Sequence, residues 1–336
     1  MTYSMDLHQL NRVLDYVNAE CDRDQWVRHL MAIKSEFGET ARDIAQIWSA
    51  TASSYKPKDF ITTWKSIKPS GGITIASLVF EAKQNGYTPE PITKEETLLL
   101  QQQKAQRRAE LQRQEAINQA KELSQHRQAA KQAKTIIQQA SPAPANHPYL
   151  IAKGIDPHGV LFGSFFSYHD NLVIPIYGTV GEFDGKAQSI QFIAPDGTKK
   201  LLKGGKKSGG YYPIQWVEDA VIVICEGFAT GCTLAEHYAQ TDSVIVAFDA
   251  GNLIRIAKYF RHLYPTAEII IAGDNDHQKE RETGINTGVI KANEAAAAVR
   301  GKVSIPYFEP HQKGSDWNDY YNLHNNKHTA TTGGEK

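Results

Sequence analysis

The chain is poor in cysteine. Cys21, Cys225 and Cys232 are the only three among its 336 residues, and no two form a C-x-x-C pair. No cysteine-rich zinc site can be built from them, and no zinc is expected. A sparse, odd set of thiols suits a reducing compartment, so the expected location is the cytoplasm. Cys225 and Cys232 read as small apolar residues. Net charge is also missing, because 37 Lys plus Arg balance 37 Asp plus Glu. That excludes a protein that is basic throughout. It leaves room for a local basic groove, which is what nucleic-acid binding needs. No apolar run is long enough to span a bilayer, and the opening MTYSMDLHQLNRVLDYV has no apolar core of the signal-peptide kind. No membrane partner is expected. The Gly- and Lys-rich stretch GGKKSGG (204–210) lacks the G-x-x-x-x-G-K-[ST] spacing of a Walker loop. ATPase and helicase chemistry are therefore not expected.

What is present falls into parts. Residues 1–90 mix helical periodicity with aromatic punctuation. Trp26, Trp48 and Trp64 read as core anchors there, with base stacking as the alternative. Lys56, Lys58, Lys65 and Lys68 read as a solvated face that could touch phosphate. Residues 91–148 begin with strong helix formers, without Gly or Pro after Pro91 until Pro142. The apolar positions are mostly alanine, so a long solvent-exposed helix is expected. SPAPANHP (141–148) ends it, because repeated proline cannot continue a helix. Residues 149–216 read as short strands separated by turns such as PDG and FDG. Residues 217–325 alternate strand and helix. The strands are AVIVIC (220–225), SVIVAF (243–248), EIIIA (268–272) and KVSIPYF (302–308). Helices are expected at about 229–238, 253–263 and 289–299. This alternation predicts an α/β fold with a Rossmann-like parallel sheet and right-handed crossovers. An α+β subdomain and a small, mainly helical N-terminal domain precede it. The polar tail, 326–336, is expected to be disordered.

Acids recur at the ends of these strands. Glu226 and Gly227 follow the first, Asp249 and Gly251 the second, and Asp274 and Asp276 the third. Asp316 and Asp319, in KGSDWNDYY, come after the fourth. In a parallel sheet all these positions emerge at one edge, where ligands bind. Like charges held close repel unless a cation neutralises them, so the convergence points to a hard divalent cation, Mg²⁺ or Mn²⁺. Upstream, Lys199, Lys200, Lys203, Lys206 and Lys207 crowd together with no acid among them. They read as a local phosphate-binding surface, with a flexible basic loop as the alternative. Gly204, Gly205, Gly209 and Gly210 would allow close backbone approach. Lys291 stands near a helix start and reads either as a phosphate contact or as a surface lysine. His277 reads as a plain loop histidine.

CEGFATG (225–231) followed by AGDNDHQ (272–278) resembles the Toprim domain, shared by DnaG-type primases, topoisomerases and some nucleases. VAFDAGNL (246–253), GINTGVIKANEAA (284–296) and SDWNDY (315–320) narrow the resemblance to primases of plasmids, phages and integrated elements. HPYLIAKGIDPHGV (147–160) and the strand-rich stretch 172–205 resemble the catalytic-core region that precedes Toprim in such primases. WVRHLMAIKSEFGE (26–39), IWSATASSYKPKDFITTWKSI (47–67) and GGITIASLVFEAKQNGY (71–87) resemble a primase-associated helical module.

The resemblance implies a DNA primase that synthesises primers on single-stranded DNA from NTPs or dNTPs, with a replicative helicase on a separate chain as partner. It implies Asp274 and Asp276 as the main cation ligands and Glu226 as ligand or general base. Asp316 and Asp319 would complete the cluster or hold the loop that covers it. Asp249 and Gly251 would lie near the nucleotide, and Lys199, Lys200 and Lys203 would bind template or triphosphate. The zinc finger common in DnaG-type primases has no counterpart in these residues. A Toprim nuclease and a non-catalytic replication-assembly protein are the competing readings.

Overall fold

The computed structural model describes residues 5–67, 73–89 and 93–329. The chain divides into two compact units, 1–120 and 121–336. The first unit contains α1 (Leu7–Leu14), α2 (Arg23–Phe37), α3 (Arg42–Ser49), α4 (Pro57–Ser66), α5 (Ile75–Gln84) and the start of α6 (Lys94–Gln139). Local chemistry sets the helix starts. Asp6 and Gln9 form a capping box on α1, the Asp22 side chain caps α2, and Pro57 opens α4 where its missing N–H costs nothing. Leu10, Leu30, Ile33, Phe60, Trp64 and Leu78 are fully buried together. Trp48 and Trp64 anchor this core, and each finds an acceptor for its indole N–H, Val17 O at 2.8 Å and Glu39 Oε2 at 2.9 Å. Trp26 is half-buried and donates to Ser49 Oγ at 3.0 Å. Lys56, Lys58 and Lys65 are exposed, and Lys68 lies outside the described residues.

In the second unit the last turns of α6 lead to β1 (Ser141–Pro142), α7 (Pro148–Lys153), β2 (Leu161–Phe165), β3 (Tyr168–Gly178), β4 (Ala187–Ile193), β5 (Lys199–Leu201) and β6 (Gly210–Gln215). Then come β7 (Ile222–Cys225), α8 (Phe228–Thr233), β8 (Ser243–Val246), α9 (Ala250–Leu263) and β9 (Ile269–Ala272). The chain continues through α10 (His277–Thr283), α11 (Thr287–Val299), β10 (Lys302–Ser304) and α12 (Trp317–Thr329). Strands β8, β7, β9 and β10 lie side by side in that order and are parallel, as the alternation predicts. The antiparallel strands join the same sheet, because β6 pairs with β8 on one side and β3 on the other. Among the described residues, no helix is long and apolar enough to cross a membrane.

Several expectations need correction. The end of α6 is not solvent-exposed. Ala129, Ala133 and Ile136, on one face of it, are buried against Val173, Ile190, Phe192 and Leu202. Ser141 and Pro142, within the expected linker, pair with Phe162 and Leu161. The fourth parallel strand stops at Ser304 and not at 308, just ahead of Pro306, which has no N–H to donate to a ladder. Helix α12 runs to Thr329, into the stretch read as tail.

Candidate active site

The register of the parallel strands brings their carboxyl ends level. Cys225 pairs with Val246 and with Ala272, and Ala272 pairs with Ser304. Glu226, Asp249 and Asp274 therefore leave one edge of the sheet. Asp316 reaches it from much further along the chain. The Asn275 N–H donates to Ser315 O at 2.6 Å, and Asn275 Nδ2 donates to Pro306 O at 2.9 Å, which fastens the loop after β10 beside the third strand. Phe248, just before Asp249, is buried and has a φ of 69°. A bulky side chain in the left-handed region is strained, and such strain concentrates at ligand sites.

Asp274 is the centre of the cluster. Burial, then Glu226, Asp316 and Asp276, push its carboxyl up to about 8, with Lys199 opposing. Its Oδ1 is buried without a hydrogen-bond partner. Burial followed by Asp249 and Asp276 also raises Glu226, against an N–H donated by Ala250 and the charge of Lys199. Burial and Asp319 raise Asp316. Carboxylates whose charge is disfavoured by both burial and each other are the environment a hard cation relieves. As the side chains stand, no group of three His, Cys, Asp or Glu among the described residues is drawn close enough to hold a metal. The orphaned oxygen and the all-oxygen donor set nonetheless fit a divalent cation. Two neighbours are fixed by backbone, since Asp276 Oδ2 accepts from the Gly288 N–H at 3.0 Å and Asp316 Oδ1 accepts from the Asp319 N–H at 2.8 Å. Asp319 braces the loop: its Oδ2 accepts from the Ser315 N–H at 3.1 Å and its Oδ1 lies 3.6 Å from Lys153 Nζ.

The five upstream lysines do not share a surface. Strand β5 sends Lys199 and Lys200 to opposite faces. Lys199 faces the cluster. Although much of the residue is exposed, desolvation lowers its pKa while Asp316, Asp274 and Glu226 raise it. Lys200 lies over the Tyr168 ring, 6.0 Å from its centroid. Lys203 is exposed and lines a cavity against α6. The Lys206 carbonyl accepts from Gln188 Nε2 at 3.1 Å. Lys207 Nζ pairs with Asp249 Oδ2 at 2.8 Å. Asn252 ties the glycine-rich loop to the sheet edge, accepting from the Gly209 N–H and donating to Gly210 O and Ala247 O, each at 2.8 Å. A Cβ at Gly251 would lie 3.3 Å from Asp249 Oδ1, so the glycine gives that carboxylate room. Lys291 pairs with Glu294 at 2.7 Å on the exposed side of α11. His277 stacks on Phe308 and hydrogen-bonds Gly314 O at 3.1 Å, a packing role.

Three positioning residues escaped the sequence reading. A Cβ at Gly288 would collide with the Asp274 carbonyl, so only glycine lets α11 start against that backbone. Asn286 accepts from the Asp276 N–H at 3.1 Å and donates to Asn275 Oδ1 at 2.9 Å. Tyr149 is buried, with an unpartnered hydroxyl, and lines a cavity of about 460 Å³ with Lys153, Lys199 and Asp319. An N-T-G turn carries the first two, but its contacts are with residues about ten positions away, which periodicity does not register.

Two family models match parts of this chain. Residues 221–326 match the Toprim domain family model, and residues 10–82 match the model described as Primase C terminal 2 (PriCT-2). The second unit thus contains a Toprim domain, and the resemblance read from the motifs stands. One similar curated protein is a DNA primase TraC of Escherichia coli, 34% identical over 213 residues, covering 62% of this chain and 19% of the relative. A second DNA primase TraC of Escherichia coli is 37% identical over 168 residues, covering 48% of this chain and 11% of the relative. The chain thus spans less than a fifth of the length of these relatives. A solved structure of the primase fragment of the bacteriophage T7 primase-helicase aligns with a TM-score of 0.39 and 19% identity, over 55% of this chain and 73% of that one. A chain of a solved structure of bacteriophage T7 lagging-strand DNA polymerase interacting with primase domains of two gp4 subunits aligns with a TM-score of 0.40 and 18% identity, over 57% of this chain and 91% of that one.

Proposed function

We propose that this chain is a DNA primase that joins nucleotides into short primers on single-stranded DNA, for the replication of a mobile element. The observation that carries the reading is the orphaned, buried Asp274 Oδ1 among Glu226, Asp276 and Asp316, with Lys199 of the short antiparallel strand β5 set against them. The two TraC relatives named DNA primase and the PriCT-2 match support synthesis over hydrolysis. Asp274 and Asp276 would hold Mg²⁺ or Mn²⁺ with Asp316, and Glu226 would be either a further ligand or the general base. Two such cations would supply the chemistry, one acidifying the attacking 3′-hydroxyl and the other stabilising the leaving pyrophosphate oxygens. Glu226, with its raised pKa, is suited to take the hydroxyl proton. Lys199 supplies a point charge for the triphosphate of an NTP or dNTP, and Lys207 brings a second, already balanced by Asp249. Asp319 holds the loop that positions Asp316. A replicative helicase on a separate chain is the expected partner.

The test is incubation of the protein with single-stranded DNA, labelled nucleotides and Mg²⁺ or Mn²⁺, beside an Asp274→Ala/Asp276→Ala variant. New short oligonucleotides from the wild type only are expected. Shortened template without new product would replace synthesis by nuclease action, and binding with neither product would point to an assembly role.

A further inference from the structure

Lys200 and Lys203 find no use at the acid edge. They lie by the opposite face of the antiparallel strands, where Phe192 and Leu202 pack on α6. A cavity of about 620 Å³ opens there, lined by Gln125, Gln128 and Gln132 of α6, by Phe166 and Tyr168 of the β2–β3 hairpin, and by Lys203. No Asp or Glu lines it. Glu182, which reaches α6, is neutralised by Arg127 at 2.8 Å.

The hairpin tip is unusual. Phe165 pairs with Tyr168, so Phe166 and Ser167 form a two-residue loop. Phe166 has a φ of 56°, in a position that hairpins normally give to Gly, Asn or Asp. The fold holds a bulky aromatic residue in the left-handed region and leaves it 66% exposed, so core packing does not explain it. Beside it Tyr168 is fixed, stacked on Phe192 at 4.3 Å, with the Lys200 ammonium over the Tyr168 ring at 6.0 Å from its centroid. An exposed ring, the Lys203 ammonium and side-chain amides in a cavity lined by no carboxylate are the parts of a stacking platform. A phosphate alone would not need the ring, an apolar peptide would not need the lysines, and a duplex hides its base faces.

We propose that this cavity binds a segment of single-stranded nucleic acid, with a base stacked on Phe166 and phosphates on Lys203 and Lys200. The site is separate from the acid edge, and its occupancy does not depend on the chemistry proposed there.

The test is fluorescence anisotropy of the full chain with labelled oligo(dT) and oligo(U), in chelator and without nucleotides. Phe166→Gly is expected to weaken binding about tenfold, the loss of one stacked base. Glycine removes the positive-φ strain, so the variant's melting temperature should equal or exceed that of the wild type, and misfolding cannot mimic the loss. Lys203→Gln should lower the log–log salt slope by roughly 0.7. Loss of affinity in Phe166→Gly for either homopolymer supports the proposal, and the homopolymer that loses more assigns the strand as template or product. Wild-type affinity in both variants would overturn it. So would competition by duplex as effective as by single strand, or equal displacement by polyglutamate, which would mark an acidic protein partner. Asp274→Ala/Asp276→Ala should lose primer synthesis yet keep wild-type affinity for the oligonucleotides in chelator, so failure of this site and failure of the primase reading are distinguishable.

Discussion

Asp274→Asn removes one charge from the acid edge while keeping the side chain's shape. In the folded chain burial and neighbouring carboxylates raise the Asp274 pKa from 3.8 to about 8. On unfolding the group returns to its ordinary value, so across this interval the folded state binds more protons than the unfolded state. Stability is fullest below about pH 4, falls as pH rises toward about 8, and is flat above that. At about 1.4 kcal/mol per pH unit the interval sets a ceiling of about 6 kcal/mol. Glu226, Asp276 and Asp316 share that repulsion and remain in the variant, so about 2 kcal/mol of relief is expected from one carboxylate. For a unit covering residues 121–336 this corresponds to a rise of roughly 4–8 °C in its melting transition. Differential scanning calorimetry in chelator at pH 9 should show Asp274→Asn melting above the wild type, with the gap shrinking at pH 5.5. Added Mg²⁺ or Mn²⁺ should then stabilise the wild type more than the variant, reducing or reversing the order. A variant less stable than wild type at pH 9 in chelator, or a gap that ignores pH, would refute the electrostatic argument. Equal stabilisation of both proteins by the cation would remove Asp274 from the cation site.

Three further outcomes follow from the same geometry. Gly288→Ala should push the first turn of α11 off the Asp274 backbone, costing about 1–3 kcal/mol in denaturant melts and most of the primer yield. Lys199→Gln should weaken metal-dependent nucleotide binding at least tenfold by calorimetry, whereas Lys200→Gln, on the other face of β5, should leave it within twofold. Trp64→Ala should cost about 3–5 kcal/mol and melt the first unit by circular dichroism, because Trp64 is 1% exposed, stacks on Phe60 and donates to Glu39.

What the sequence made legible was set by periodicity. Four short apolar runs, each ending in an acid or glycine, are enough to predict a parallel sheet and to send Glu226, Asp249 and Asp274 to one edge. That inference needs only the strand direction and the strand ends. The five lysines show where it stops. Their crowding in sequence suggested one surface, yet a single residue step along β5 reverses the face, so Lys199 meets the carboxylates and Lys200 meets Tyr168. Gly288 and Asn286 were invisible for a related reason. Their roles lie in contacts with Asp274 and Asp276 across a turn and a short helix, and no local pattern encodes a distance across the fold. The alanines of α6 misled in the opposite sense. Alanine reads as weakly apolar and hence exposed, but its small volume is what lets the helix lie flat on Phe192 and Ile190. The same packing forms one wall of the cavity at Phe166 and Lys203. A helix read from composition as a solvated spacer thus supplies the amides of a candidate nucleic-acid platform, and the sheet it covers separates that platform from the acids on the other face.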